Sequence, residues 1–282
     1  MGNPVVVGVD GSSAALTAVA AAAAAAARCG AALRVVHAEV PIKPRLVVPD
    51  PAVRPLVLQA MAHALHVVPE AVVTSAVVTG DVVHVLEAES QAADLVVVGS
   101  RGTGSITRRL LGSVLGSTPA PLAARSHCPV MVVRGDDPDP TGPVVLGVDG
   151  SPDGEQAVAF AFAESARRRA ELVAVHAWQP DRVSSGTAPE AAERLLDQAL
   201  ADAEDTRPDV TVRREPVGGK ASEVLVEASR TAQLLVVGAR GRGGLAGLLL
   251  GSVSQDVMTR ALPRGDRSQG EVSGPRRHPA RR

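Results

Sequence analysis

The chain has 282 residues, 45% of them hydrophobic and 21% charged, a length that suits about two ordinary domains and a composition too apolar for a disordered polymer. Lys+Arg 29 against Asp+Glu 30 leaves a formal net charge of -1, so no global basic field draws it to nucleic acid or an anionic membrane. Phe160, Phe162 and Trp178 are its only aromatic side chains, too few to stack bases along a single strand.

Short apolar runs without polar alternation mark strands at 5–9, 33–36, 72–78, 95–98 and 130–133, the pattern of strands buried on both faces of a parallel sheet. Between them the sequence predicts helices over 13–29, 57–67, 81–93 and 113–125. The alanine-rich run inside the first is preceded by Asp10 and closed by Arg28. It is shorter than the roughly 20 apolar residues that cross a bilayer, and it has neither the basic start nor the flanks of a secretion signal. Strand and helix alternate, as in a doubly wound α/β domain with right-handed crossovers.

The pattern then repeats. Val5-Val6-Val7-Gly8-Val9-Asp10-Gly11-Ser12 returns as Val144-Val145-Leu146-Gly147-Val148-Asp149-Gly150-Ser151, an offset of 139 that His37-Ala38 and His176-Ala177 keep, as do Gly99 and Gly238. The expected organisation is therefore a domain over 1–134, a proline-rich acidic linker over 135–143, a second domain over 144–262 and a disordered tail over 263–282. Cys29 and Cys128 are too few and too distant for a disulfide framework or a thiol zinc site, which fits a reduced cytoplasm.

Open α/β sheets bind ligands beyond the carboxyl ends of their strands. Asp10 follows the first strand there, and Gly99-Ser100-Arg101-Gly102 follows the fourth, with Gly112-Ser113 nine residues on. The second copy reads Asp149, then Gly238-Ala239-Arg240-Gly241, nine residues, and Gly251-Ser252. Glycines let backbone approach a ligand closely, and a Gly-Ser pair opening a helix offers free N–H groups to phosphate. Asp10 and Asp149 can accept from a ribose hydroxyl or an adenine amine, or cap the following helix. Arg101 and Arg240 stand where they can reach phosphate or point into water. His37 and His176 have no acidic or histidine partner at ligand spacing and read as structural, and Cys128 reads as a small core residue. A Walker lysine cradle is absent, and the first strand is followed by no dinucleotide fingerprint.

The doubled Gly-2x-Gly-9x-Gly-Ser, with Val-Asp-Gly-Ser at the end of the first strand and Cys128-Pro129-Val130-Met131-Val132-Val133 closing the first copy, resembles the ATP-binding branch of the universal stress protein family in tandem form. The resemblance covers nearly all of both copies. It implies two Rossmann-like parallel sheets of strand order 3-2-1-4-5, paired through the fifth strand within the chain or in a homodimer, and a stress or dormancy role. It also implies an ATP site, with or without Mg2+, at Asp10, Ala38, Gly99, Gly102, Gly112, Ser113 and Val114, and a second at Asp149, Ala177, Gly238, Gly241, Gly251, Ser252 and Val253.

The sequence departs from that pattern twice. Gly112 to Cys128 is about four residues longer than the family interval and contains Gly116-Ser117, so either pair can head the phosphate-facing helix; the register favours Gly112-Ser113. After Ala261 the chain reads Leu262-Pro263-Arg264-Gly265-Asp266-Arg267-Ser268, which is too polar for a buried strand, so the second domain is expected to lack its fifth. Back-translated as CTG CCC CGT GGC GAT CGT TCG and read one nucleotide on, that stretch gives Cys-Pro-Val-Ala-Ile-Val, the strand expected there, which points to a frameshift. The basic end Arg276-Arg277-His278-Pro279-Ala280-Arg281-Arg282 is then an accidental tail.

The expected protein binds adenine nucleotide and acts through nucleotide-dependent dimerisation or partner choice, with no catalytic residue assigned, no metal ligand of its own, no membrane and no nucleic acid among its partners. Two other readings of the same fold are a slow ATP hydrolase or nucleotidyl transferase, and a degenerate interaction module that binds no nucleotide.

Overall fold

The computed structural model describes residues 2–39, 52–101, 117–135, 141–179, 188–241 and 250–261. In the first half β1 (Val5–Gly8), β2 (Leu33–Glu39), β3 (Val73–Thr79), β4 (Leu95–Gly99) and β5 (Val130–Val133) form one parallel sheet in the order β3-β2-β1-β4-β5. The helices are α1 (Ser13–Cys29), α2 (Val53–Val67), α3 (Val82–Ser90) and α4 (Pro119–Arg125). The second half repeats the winding. Its strands β6 (Val144–Gly147), β7 (Leu172–Trp178), β8 (Val212–Gly218) and β9 (Leu234–Val236) make a parallel sheet ordered β8-β7-β6-β9. Its helices are α5 (Glu155–Arg168), α6 (Ala188–Thr206), α7 (Ala221–Ala228) and α8 (Ser252–Arg260). The second sheet thus has four strands among the described residues; 262–282, where the missing strand and the tail are expected, lie outside them.

Odd and even positions of the strands feed two cores, as alternation across a pleat requires. Val5, Val7, Leu33, Val35, Leu95 and Val97 pack under α1 and α2, while Val6, Val36, Val96 and Val98 pack with Leu86 and Leu122 of α3 and α4. The alanines of α1 explain how close that helix sits: Ala18, Ala22, Ala23, Ala25 and Ala26 are buried, and short side chains bring the helix axis down onto the sheet. The Ser12 hydroxyl caps α1 by accepting from the Ala15 N–H (3.1 Å), and Gly30 closes it in the left-handed conformation (φ 62).

The halves touch through the fifth-strand side. Phe160 of α5 packs against the core of both, and the Arg134 Nη1 donates to the carbonyls of Thr259 (3.0 Å) and Ala261 (3.4 Å) at the end of α8. The two edge strands β5 and β9 line one cavity of about 930 Å³.

Candidate functional site

The carboxyl ends of β6, β7 and β9 converge, and a smaller cavity of about 330 Å³ opens there, within the range of small-molecule sites. Asp149, Ala177, Gly238, Gly241 and Val253 line it, five of the seven residues expected for the second site, joined by His176 and Arg240. Gly251 and Ser252 are not among its lining residues.

Local bonding fixes each piece. The Asp149 Oδ1 accepts from the Ser151 N–H (3.0 Å) and from the Ser151 hydroxyl (2.7 Å), an Asx-turn that holds the carboxylate at the strand tip. Its Oδ2 lies where a Cβ on Gly241 would come within 2.5 Å of it, so glycine at 241 lets the loop after β9 cross over the aspartate. His176 lies against the Val148 carbonyl through Nδ1 at 2.7 Å; a carbonyl only accepts, so Nδ1 carries a proton and donates it there. The Ser254 hydroxyl donates to the carbonyls of Gly238 (2.6 Å) and Ala239 (3.3 Å), tying the first turn of α8 to the tip of β9. Gly251 precedes α8 with its N–H bonded to the Ala239 carbonyl (2.9 Å). A Cβ there would meet nothing closer than 3.6 Å.

The first half has the same strand tips. The Asp10 Oδ1 accepts from the Ser12 N–H (3.0 Å), His37 Nδ1 lies 2.8 Å from the Val9 carbonyl, and Ala38 is paired with Val78 in β2 and β3. Gly99 has a structural reason besides ligand clearance, since a Cβ there would sit 2.8 Å from the Ala14 carbonyl oxygen. Gly102, Gly112, Ser113 and Val114 lie outside the described residues. The helix that leads into β5 is described from Pro119, and its last residue Arg125 matches Arg260 of α8 at an offset of 135. That offset sets Ser117 against Ser252.

Two groups that the sequence did not single out carry charge or hydrogen-bonding capacity at these tips. Arg134, just after β5, is half-buried near Arg101 of the β4 tip; desolvation first, and that neighbour second, lower its pKa to about 10, and its Nη2 is buried without a hydrogen-bond partner among the described residues. Ser254 is the other, invisible in sequence because a serine in a helix has no signature until its carbonyl partner is placed. Elsewhere, burial pushes up the pKa of both thiols, Cys29 and Cys128, so neither is held as a thiolate nucleophile. Among the described residues no group of three His, Cys, Asp or Glu could hold a metal ion, and no helix is long and apolar enough to cross a membrane.

Comparison with known proteins places these features in context. The family model described as "Universal stress protein family" matches residues 1–134 and again 141–262. A universal stress protein of Mycobacterium tuberculosis is 40% identical over 277 residues, covering 90% of this chain and 92% of the relative. A second from the same organism is 38% identical over 279 residues, again covering 90% and 92%. The crystal structure of a universal stress protein from Archaeoglobus fulgidus superposes with a TM-score of 0.64 over 92% of this chain and 93% of that one, at 18% identity, a likeness of fold.

Proposed function

Because the chain belongs to the universal stress protein family, we propose that it binds ATP at the strand tips of its second half and, through the equivalent residues, of its first. The observation that carries this reading is the cavity of about 330 Å³ that gathers Asp149, His176, Ala177, Gly238, Gly241 and Val253 at one place. Asp149 is an acceptor lining this cavity, suited to ribose hydroxyls or the adenine amine, with His176 beside it. Arg240, the Gly238–Gly241 backbone and the start of α8 face its phosphates, where free N–H groups and the helix dipole favour negative charge. Any Mg2+ would arrive on the phosphates. In the first half Asp10, Ala38 and Gly99 take the same parts, with Gly102 and either Gly112-Ser113-Val114 or Gly116-Ser117 as the phosphate loop. The offset between Arg125 and Arg260 favours Gly116-Ser117.

Nucleotide occupancy then biases dimerisation or partner choice in a stress response, without rapid turnover. The two free thiols, Cys29 exposed and Cys128 half-buried, suit a reducing compartment, and we place the protein in the cytoplasm. Thermal denaturation with and without ATP is the test: ligand at about 100 times its Kd adds roughly 2.7 kcal/mol. A melting curve that ATP, ADP and AMP all leave in place, with and without Mg2+, overturns the reading. Release of ADP at about 1 per second or faster would move the protein among enzymes. With the second site disabled by Gly241→Val, the loss of the remaining binding on Gly116→Val or on Gly112→Val decides which glycine heads the phosphate loop.

A further inference from the structure

Each sheet has two edges, and the fifth-strand edges are turned toward each other across the large cavity, with Arg134 bonded to the end of α8. A second molecule is left with the opposite edges, β3 and β8. These are equivalent strands: Val73 is paired with Leu33 and Val212 with Leu172, at the offset of 139 that runs through the chain.

Position by position, the two edges have opposite chemistry. Five large apolar side chains are the exposed ones among the described residues: Leu58 (56%), Leu65 (41%), Val67 (41%), Val72 (65%) and Val77 (48%). All five lie on α2, on β3 or just before it. Their equivalents on α6 and β8 are Asp197, Glu204, Thr206, Thr211 and Pro216. In the second half Arg214 ion-pairs with Asp197 (2.8 Å) and Glu204 (2.7 Å), and Arg213 with Glu171 (3.4 Å) and with Glu215. Pro216 has no N–H to offer an incoming strand. Charges and proline are the devices that keep an edge strand from pairing. The β3 edge, Val73-Thr74-Ser75-Ala76-Val77-Val78-Thr79, has none of them, and past the exposed Arg54-Pro55 of its first turn α2 turns outward Leu58, Gln59, Ala62, Leu65, His66 and Val67, with no Lys, Arg, Asp or Glu among them.

From this contrast we infer that the α2/β3 face is a homodimer interface, on which a second copy of the chain sets its own β3 antiparallel to the first across a two-fold axis, with Leu58 and Leu65 of each α2 buried beside the joined strands. Charge selects this occupant and this symmetry. The β3 strand and the Leu58–Val67 stretch of α2 hold no Lys, Arg, Asp or Glu, so placing them against their own copies buries no such ion at the centre of the contact, with the exposed Arg54 and Glu70 toward its ends. Set against the α6/β8 face of another copy, Leu58 and Leu65 would cover the paired Asp197, Glu204 and Arg214, at a desolvation cost, and β3 would meet Pro216. That head-to-tail contact would also leave an open chain of molecules, whereas the two-fold contact closes. The inference is independent of what fills the nucleotide site.

Sedimentation velocity on the full chain tests it, with the second half supplying the substitutions. The wild type is expected at twice the 28.8 kDa mass of the chain. Leu58→Asp with Leu65→Glu, two changes on exposed helix positions, should weaken the dimer by about a hundredfold or more, and adding Val77→Pro should abolish it. Circular dichroism and ATP titration calorimetry on the same variants read folding and nucleotide binding separately, so a failure at the nucleotide site is not mistaken for a failure here. A wild type still monomeric at about 100 μM, weaker than the association of any stable interface, overturns the proposal. So does a dimer that the folded double variant leaves unmoved.

Discussion

The two halves of this chain start from nearly the same words and spend them differently. In the first half Ser12 caps α1 and Gly30 closes it in the left-handed conformation. In the second, the Ser151 hydroxyl turns to Asp149, a 3-10 turn at Pro152–Gly154 delays the helix to Glu155, and the residue that closes the helix is Arg169, at φ 53, where a side chain is strained. The first half has a fifth strand and an apolar outer face. Among the described residues the second has four strands and an outer face laced with ion pairs. Repetition of a motif along a chain therefore repeats the fold, while the local bonding that decides stability, binding and association diverges between the copies.

The largest effect should come from making the halves alike. Inserting Cys-Pro-Val-Ala-Ile-Val after Ala261 would give β9 a partner in the position that β5 holds beside β4. Each fully buried side chain of such a strand contributes up to about 1.5–3 kcal/mol, a large share of the roughly 5–15 kcal/mol that holds a domain together. Limited proteolysis of the present chain is expected to cut the second half first, and the extended chain should resist cleavage and melt several degrees higher. Equal melting of the two would show that the second half does not depend on that strand.

Breaking the comparison at the site is the next step. Gly241→Ala places a Cβ 2.5 Å from the Asp149 Oδ2, and Oδ1 is held by two bonds to Ser151, so the carboxylate cannot swing away without losing them. We expect about a tenfold loss of ATP affinity at the second site, the size of one hydrogen bond to a charged group, with little change in melting temperature. Gly251→Ala meets ordinary contacts only, so a loss of binding there would come from the ligand's side.

Much of the fold and of the site is legible in the amino-acid order alone. Valine-rich apolar runs mark β1, β4 and β5 to within a residue, and the repeat of Val-Asp-Gly-Ser marks the end of the first strand in each half. The misses have physical causes. The strand β2 runs on through His37-Ala38-Glu39, which look polar until His37 is seen bonded to the Val9 carbonyl. Helix α2 begins at Val53, four residues before the expected start, because Pro55 lies in its first turn, where no intrahelical donor is lost. The apolar outer face of α2 and β3 went unread because a hydrophobic side chain on a core element looks the same in sequence whether it points in or out.

The smallest effect is also the sharpest test of how far the halves have parted. Ser12 and Ser151 occupy the same place in the same Asp-Gly-Ser motif. The Ser12 hydroxyl accepts from the Ala15 N–H, one of the donors that a helix leaves unpaired at its start. Removing it with Ser12→Ala should cost about 1 kcal/mol of stability, and the Asp10 carboxylate keeps its bond to the residue 12 N–H. The Ser151 hydroxyl makes no cap bond and donates to Asp149 instead. Ser151→Ala should therefore leave the melting temperature almost in place and loosen the aspartate, weakening ATP binding a few-fold, within the net worth of about 0.5–1.5 kcal/mol for one hydrogen bond. Paired melting and calorimetry on the two variants give the answer: if both lower stability equally and neither touches binding, the two serines do one job, and the divergence seen at the start of α1 and α5 has no energetic consequence.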